Sequence, residues 1–191
     1  EAVGISHKDA VNYAIVGCVE LTTHGNALGW SDAAMFNMVK ALELSLNDGV
    51  CLLFGEQLGP QTGTLADAAE FGEVEERFRT QLDHFITRMM PLCRRVDELH
   101  AEVLPSAFLS CVIDDCLERG VDVTAGGAHY NLSGIQAIQV ANVADSLAAL
   151  KKAVFDEQSV SAAALLEALR SDFAGTEGER RGAEFIAEQF G

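Results

Sequence analysis

Gly17-Cys18-Val19-Glu20 holds the residue types best suited to chemistry in this chain. The compact apolar run Tyr13 to Gly17 reads as a strand that ends at Cys18. A thiol is followed two residues later by a carboxylate. In extended backbone, residues i and i+2 point to the same side, so Cys18 and Glu20 would face one space. That places a reactive sulfur beside an acid–base group, with Gly17 permitting close approach by another backbone. A buried thiol at a strand end, with a solvated glutamate beside it, is the alternative, and spacing alone leaves both open. His24 follows two threonines in the next segment and is a candidate to line the same space, against a solvated loop histidine.

The elements that must position these residues come from periodicity and punctuation. Ser6 is placed to cap a short helix over 6–12. Segment 21–30, LTTHGNALGW, carries three breakers and reads as a loop. Ser31 would cap the next helix, along which Met35, Met38, Val39, Leu42 and Leu46 recur as a core stripe, and Asn47-Asp48-Gly49 stops it. Residues 50–65 are irregular, with a short strand at Cys51–Phe54. Glu73 to Val103 is helical, with Pro91 expected to kink or break it. Pro105 opens a further helix that Gly120 ends, and Val121–Ala125 reads as a strand. A turn at Gly126–Asn131 leads into an extended stretch. Val143–Phe155 is an amphipathic helix, Ser161 opens another to Phe173, and Glu177–Gln189 forms the last. Helices alternating with short apolar strands give an α/β class with crossover connections.

Five cysteines occur, Cys18, Cys51, Cys93, Cys111 and Cys116, with irregular spacing and no CxxC pair. That points to reduced thiols in a cytoplasm. The last four are expected as small buried core residues. Cys111 and Cys116 sit five apart on the expected helix and do not share a face for a metal. His7, His84, His100 and His129 have no joint metal spacing. The chain has 191 residues and a formal net charge of −16, which argues against nucleic-acid or anionic-membrane partners. No apolar run approaches the roughly 20 residues that span a bilayer. No signal peptide is visible, and the chain opens at Glu1 as if in mid-sequence.

Three stretches carry a family resemblance. VGCVELTTHGNALGWSDAAMFNMVKALELSLNDG resembles the cysteine-loop region of the glycyl radical enzymes, the pyruvate formate-lyase-like superfamily. GVDVTAGGAHYNLSGIQAIQVANVADSLAALKKAVFDE resembles their late barrel segment, and LLEALRSDFAGTEGERR the helical lead into their C-terminal part. Together they cover nearly the whole chain in the family's order.

The resemblance implies that residues 1–191 are an incomplete C-terminal portion of a ten-stranded α/β barrel with helices packed outside. It implies Cys18 as a thiyl that abstracts hydrogen from a small hydroxylated substrate, and Glu20 as the general base. Tyr130 and Asn131, in the second matching stretch, would approach substrate together with His24, while Trp30 and Asp32 would anchor the loop to its helix. The glycyl radical would sit on a residue outside this chain, installed by a radical S-adenosylmethionine activating enzyme, and the full-length protein would be a homodimer in the cytoplasm. The pattern of the radical-bearing glycine loop is absent, so no glycine here is assigned that role, and the isolated chain is expected to be inactive. Val19 stands where formate acetyltransferase has a second adjacent cysteine. That favours a dehydratase or C–X lyase over formate acetyltransferase-like chemistry, with a radical decarboxylase or a noncatalytic barrel-derived module as the alternatives.

Overall fold

The computed structural model describes residues 4–17 and 20–174, apart from the side chains of Trp30 and Ser31. Cys18 and the helix expected at Glu177–Gln189 lie outside the described residues. The chain divides into two units, residues 1–36 with 88–137 and residues 37–87 with 138–191.

In the first unit, helix α1 (His7–Val11) starts where the Ser6 hydroxyl accepts the Asp9 N–H at 3.2 Å. Strands β1 (Tyr13–Val16) and β2 (Glu20–Thr23) then pair antiparallel, from Tyr13 opposite Thr23 to Val16 opposite Glu20. Segment 21–30 is therefore not a loop. Its first residues complete a hairpin, where β-branched Thr22 and Thr23 suit a pleated surface. After a turn at 24–26, Ala27 begins β3 (Ala27–Asn37), an 11-residue strand that runs through Gly29. Strand β3 is hydrogen-bonded to β4 (Tyr130–Ile138). The Tyr130 N–H donates to Asn26 O at 3.0 Å, and Gln136 meets Asp32 further along. The contacts advance together along both strands, which is parallel register and requires a crossover connection.

The helical region after β3 differs from the sequence pattern in its start. Asn37, not Ser31, caps α2 (Met38–Leu46), its side chain accepting the Lys40 N–H at 2.9 Å. Met35 consequently sits in β3 and is 67% exposed, outside the core stripe it was expected to join. The stop at Asn47-Asp48-Gly49 is as read, with Asp48 and Gly49 both at positive φ. Leu42 and Leu46 pack in the second unit with Leu65, Val74, Val143, Leu150 and Leu166. The last three come from α6 (Val140–Leu150), which continues as a π-helical turn to Asp156, and α7 (Ala162–Arg170), capped by Ser161. Residues 51–54 form a turn, Gly55 N donating to Cys51 O, and not the expected strand.

Helix α3 (Phe71–Val103) passes through Pro91 without breaking. Beyond it, the single helix expected from Pro105 to Gly120 is two one-turn pieces, α4 (Ala107–Ser110) and α5 (Cys116–Arg119), because Asp115 takes φ +73° between them. Gly120 ends the second in left-handed backbone as read. Cys111 is thus not on one helix with Cys116 and is exposed, while Cys51, Cys93 and Cys116 are buried. Residues 123–125 form a 3-10 turn and not a strand, because Asp122 caps them. The Asp122 carboxylate accepts the N–H groups of Ser106 and Thr124 and the hydroxyls of Thr124 and Ser110, at 2.7–3.1 Å. This clamp sits against the small core of Cys116, Val123 and Ala128, from which the chain turns into β4.

The hydrogen bond from the Thr124 hydroxyl, with those from the backbone around it, holds the Asp122 carboxyl down to about 2. A lowered carboxyl contributes stability that is fully present above the ordinary aspartate value of about 4 and lost as pH falls through the folded value. Replacing Asp122 by Asn, which cannot accept from all four donors, should lower the melting temperature at neutral pH. It should also flatten the melting curve's pH dependence between about 4 and 2. An unchanged acid dependence, followed by thermal denaturation across that range, would remove Asp122 as its source.

Candidate functional site

The geometry of the candidate site starts from one backbone choice. Gly17, which follows β1, adopts φ +62°, a region that L side chains occupy only with strain. A Cβ placed there would fall 2.5 Å from Glu20 Oε2. The glycine therefore leaves the space that the Glu20 carboxylate occupies, and that carboxylate folds back against Gly17. The expectation that Cys18 and Glu20 share one space falls on Cys18, which lies outside the described residues.

Glu20 is half-buried and is gripped from the second sheet. Gln136, towards the end of β4, donates through Nε2 to Glu20 Oε1 at 2.6 Å. The same nitrogen donates to Asp32 Oδ1, on the adjacent β3. Two carboxylates from different sheets thus converge on one neutral amide. Asp32 was expected to tie a loop to a helix. It instead stands in a strand and shares this amide. Gln136 was not singled out by its sequence context, and its only signal is a polar amide within the run Gly134-Ile135-Gln136-Ala137-Ile138.

The remaining candidates have other partners. The Tyr130 hydroxyl accepts the Ser6 N–H at 3.0 Å and donates to Asp9 Oδ2 at 2.8 Å, fastening α1 to the start of β4. Hydrogen bonds from Ser6, then Tyr130, hold the Asp9 carboxyl below the usual aspartate range. Tyr130 also borders a cavity of about 370 Å³ lined in part by Asp9, Tyr13, Leu21 and Thr22. Asn131 spends its amide on the carbonyls of Ala128 (2.8 Å) and Gly126 (3.3 Å), bracing the glycine turn. His24 is exposed in the turn between β2 and β3. Among the described residues, no group of three or more His, Cys, Asp or Glu side chains could hold a metal ion, and no helix is long and apolar enough to cross a membrane.

The comparisons with known proteins agree on one kinship. A family model described as pyruvate formate lyase-like matches residues 1–191. The chain is 40% identical over 174 residues to the (2S)-3-sulfopropanediol dehydratase of Klebsiella oxytoca, covering 91% of this chain and 21% of that protein. It is 34% identical to the trans-4-hydroxy-L-proline dehydratase of Clostridioides difficile, covering 91% and 22%. Among solved structures, the glycerol-bound B12-independent glycerol dehydratase from Clostridium butyricum matches with a TM-score of 0.84 and 38% identity, covering 90% of this chain and 22% of that one. A glycyl radical enzyme from Archaeoglobus fulgidus matches with a TM-score of 0.85 and 36% identity, covering 97% and 23%. The chain spans about a fifth of the length of the relatives it matches. Its α/β architecture is a partial piece of the fold of these enzymes.

Substituting Gly17→Ala tests the room left for Glu20. Forcing an L side chain into left-handed backbone costs about 1–2 kcal/mol, and the added methyl collides with the carboxylate. The expected result is a loss of stability of that order with Glu20 displaced in the crystal structure. A carboxylate found in the same place in the alanine variant would contradict the packing described.

Proposed function

The chain belongs to the pyruvate formate lyase-like family, and on that premise we propose that it is part of a longer glycyl radical enzyme that eliminates water or another leaving group from a small hydroxylated substrate. Residues 1–191 form an incomplete portion of the catalytic barrel, and the radical-bearing glycine domain lies elsewhere in the polypeptide. The observation that carries the reading is the Glu20 carboxylate, folded over Gly17 and held two residues beyond Cys18.

The glycyl radical, installed by a radical S-adenosylmethionine activating enzyme, supplies the unpaired electron when present. Cys18 as a thiyl takes a hydrogen atom from the carbon bearing the substrate hydroxyl, forming S–H. The S–H bond is weak enough for this exchange to run at modest cost, whereas the O–H of serine is too strong. Glu20 accepts the proton of that hydroxyl as general base. The electron pair released shifts into the C–O bond and expels the leaving group from the adjacent carbon as an anion, which takes up the proton held on Glu20. Return of hydrogen from the Cys18 thiol to the product radical closes the cycle. A site of this kind must exclude water and oxygen from its reactive intermediates. His24, Tyr130 and Asn131 remain candidates for substrate contact, in the case of Tyr130 through the cavity it borders. We place the enzyme in the cytoplasm as a homodimer, with reduced thiols; the four described cysteines are free.

The names of the relatives give a substrate panel: (2S)-3-sulfopropanediol, trans-4-hydroxy-L-proline and glycerol. In the full-length polypeptide, Cys18→Ser should abolish turnover of whichever of these is processed while leaving the glycyl radical signal in electron paramagnetic resonance intact. Glu20→Gln should lower elimination by about 10²-fold or more. Turnover retained by the serine variant would remove the thiyl role. An unaffected rate in the glutamine variant would move the reading toward the decarboxylase subclass.

A further inference from the structure

We propose that Lys40 and Cys51 form an oxidation-dependent cross-link, a sulfenamide that holds the Cys51 sulfur at a reversible stage of oxidation; the inference is independent of the reaction proposed above. Three side chains of the second unit meet here, and that reaction uses none of them. Lys40 lies in the first turn of α2, with Glu43 three residues on. Its Nζ stands 3.5 Å from Cys51 Sγ and 2.6 Å from Glu43 Oε2. Backbone contacts fix both partners. Glu43 Oε1 accepts the Leu52 N–H at 2.9 Å, so the carboxylate is anchored to the residue that follows the thiol. The Cys51 N–H donates to Glu56 O at 2.9 Å, and the Gly55 N–H donates to Cys51 O at 2.8 Å. Cys51 is wholly buried, whereas the Lys40 side chain is 33% exposed. A thiol is a weak acceptor, and a buried cysteine ordinarily behaves as a small hydrophobe. Packing alone gives no reason to hold an ammonium against it.

The oxidant is a peroxide. Burial shields the sulfur from bulk reagents. Leu53 and Phe54, which complete its turn, are exposed, so local opening of that turn is the route by which peroxide reaches it. Peroxide takes the thiol to a sulfenic acid: the O–O bond breaks, an S–O bond forms, the sulfur gives up two electrons and water leaves. Glu43 then accepts a proton from the Lys40 ammonium. The freed lone pair on Nζ attacks sulfur, so that an S–N bond forms as the S–O bond breaks. The departing hydroxide takes the proton held on Glu43 and leaves as water, and the nitrogen sheds one further proton to solvent. The flexible lysine stem supplies the movement that closes the gap. Two thiols of a reductant later cleave the S–N bond and become a disulfide, which restores Cys51 and Lys40. A sulfenic acid that is not captured goes on to sulfinic acid, which thiols do not reduce. Lys40 diverts the sulfur from that loss.

The test uses the full-length polypeptide, purified without air and not activated, then treated with hydrogen peroxide and read by mass spectrometry of its digest. The expected product is a fragment containing Lys40 and Cys51 that is lighter by two hydrogens than its reduced counterpart. Fragmentation should place the link between those two residues, and dithiothreitol should restore the reduced mass. In Lys40→Arg, which keeps the positive charge and loses the amine, the link should be absent. Cys51 should then accumulate as sulfinic acid that dithiothreitol does not restore. Cys51 left unmodified in the wild type while the exposed Cys111 is oxidised overturns the proposal. So does wild-type Cys51 found as sulfinic acid, or in a disulfide, without the link to Lys40. Equal recovery of the Cys51 thiol by dithiothreitol in wild type and Lys40→Arg also overturns it. The wild-type masses decide the matter even if the variant does not fold.

Discussion

The hydrogen bond from Gln136 to Glu20 joins the two small sheets described here, and the candidate site depends on it. Neither sheet has more than two strands among the described residues, so neither is stable by strand pairing alone. The link needs several things at once. The hairpin register must put Glu20 at the start of β2, opposite Val16. Gly17 must lack a side chain, or the carboxylate has nowhere to fold. Strand β4 must run in parallel step with β3, so that Gln136 and Asp32 arrive together. A slip of one residue in β4 would send Gln136 to the opposite face and leave two carboxylates without their common donor.

Much of the supporting frame was legible from local chemistry. Ser6 and Ser161 cap helices where a hydroxyl precedes an N–H three residues on. Gly49 and Gly120 end helices where left-handed backbone is required. These are interactions between residues a few positions apart, which composition and spacing report directly. Strand β3 was hidden for the converse reason. Its sequence, ALGWSDAAMFN, contains a glycine, an aspartate and several helix formers, and its conformation comes from pairing with a segment 104 residues later. Tertiary pairing overrides local preference in such strands. The helix cap moved from Ser31 to Asn37 as a direct consequence, and Met35 moved from the core stripe to an exposed strand position.

The site divides along the same line. Glu20 could be picked out because a carboxylate two residues beyond a thiol is a local pattern. Asp32 and Gln136 join it only through the parallel register of β3 with β4, which no local spacing encodes. Tyr130 and Asn131 open β4, and their polar atoms are engaged by Ser6, Asp9 and the carbonyls of the glycine turn. Their immediate work is to fix the start of β4. That in turn sets where Gln136 falls six residues from Tyr130, so these residues bear on the site through the backbone that they pin.

The choice of an amide to hold Glu20 has a chemical logic that a cation would not satisfy. Several ion pairs elsewhere among the described residues join Lys or Arg to a carboxylate three or four residues away on one helix, as in Lys40 with Glu43 and Arg77 with Glu73. Such a partner beside a carboxylate proposed as a general base would favour the ionised form strongly and weaken it as a proton acceptor. A neutral amide orients the carboxylate without placing a full positive charge beside it. In the base role proposed for Glu20, the carboxylate must take a proton and give it back in every cycle. Gln136 holds Glu20 and Asp32 with one neutral donor from strands rather than from a loop, where the geometry of a side chain is best held.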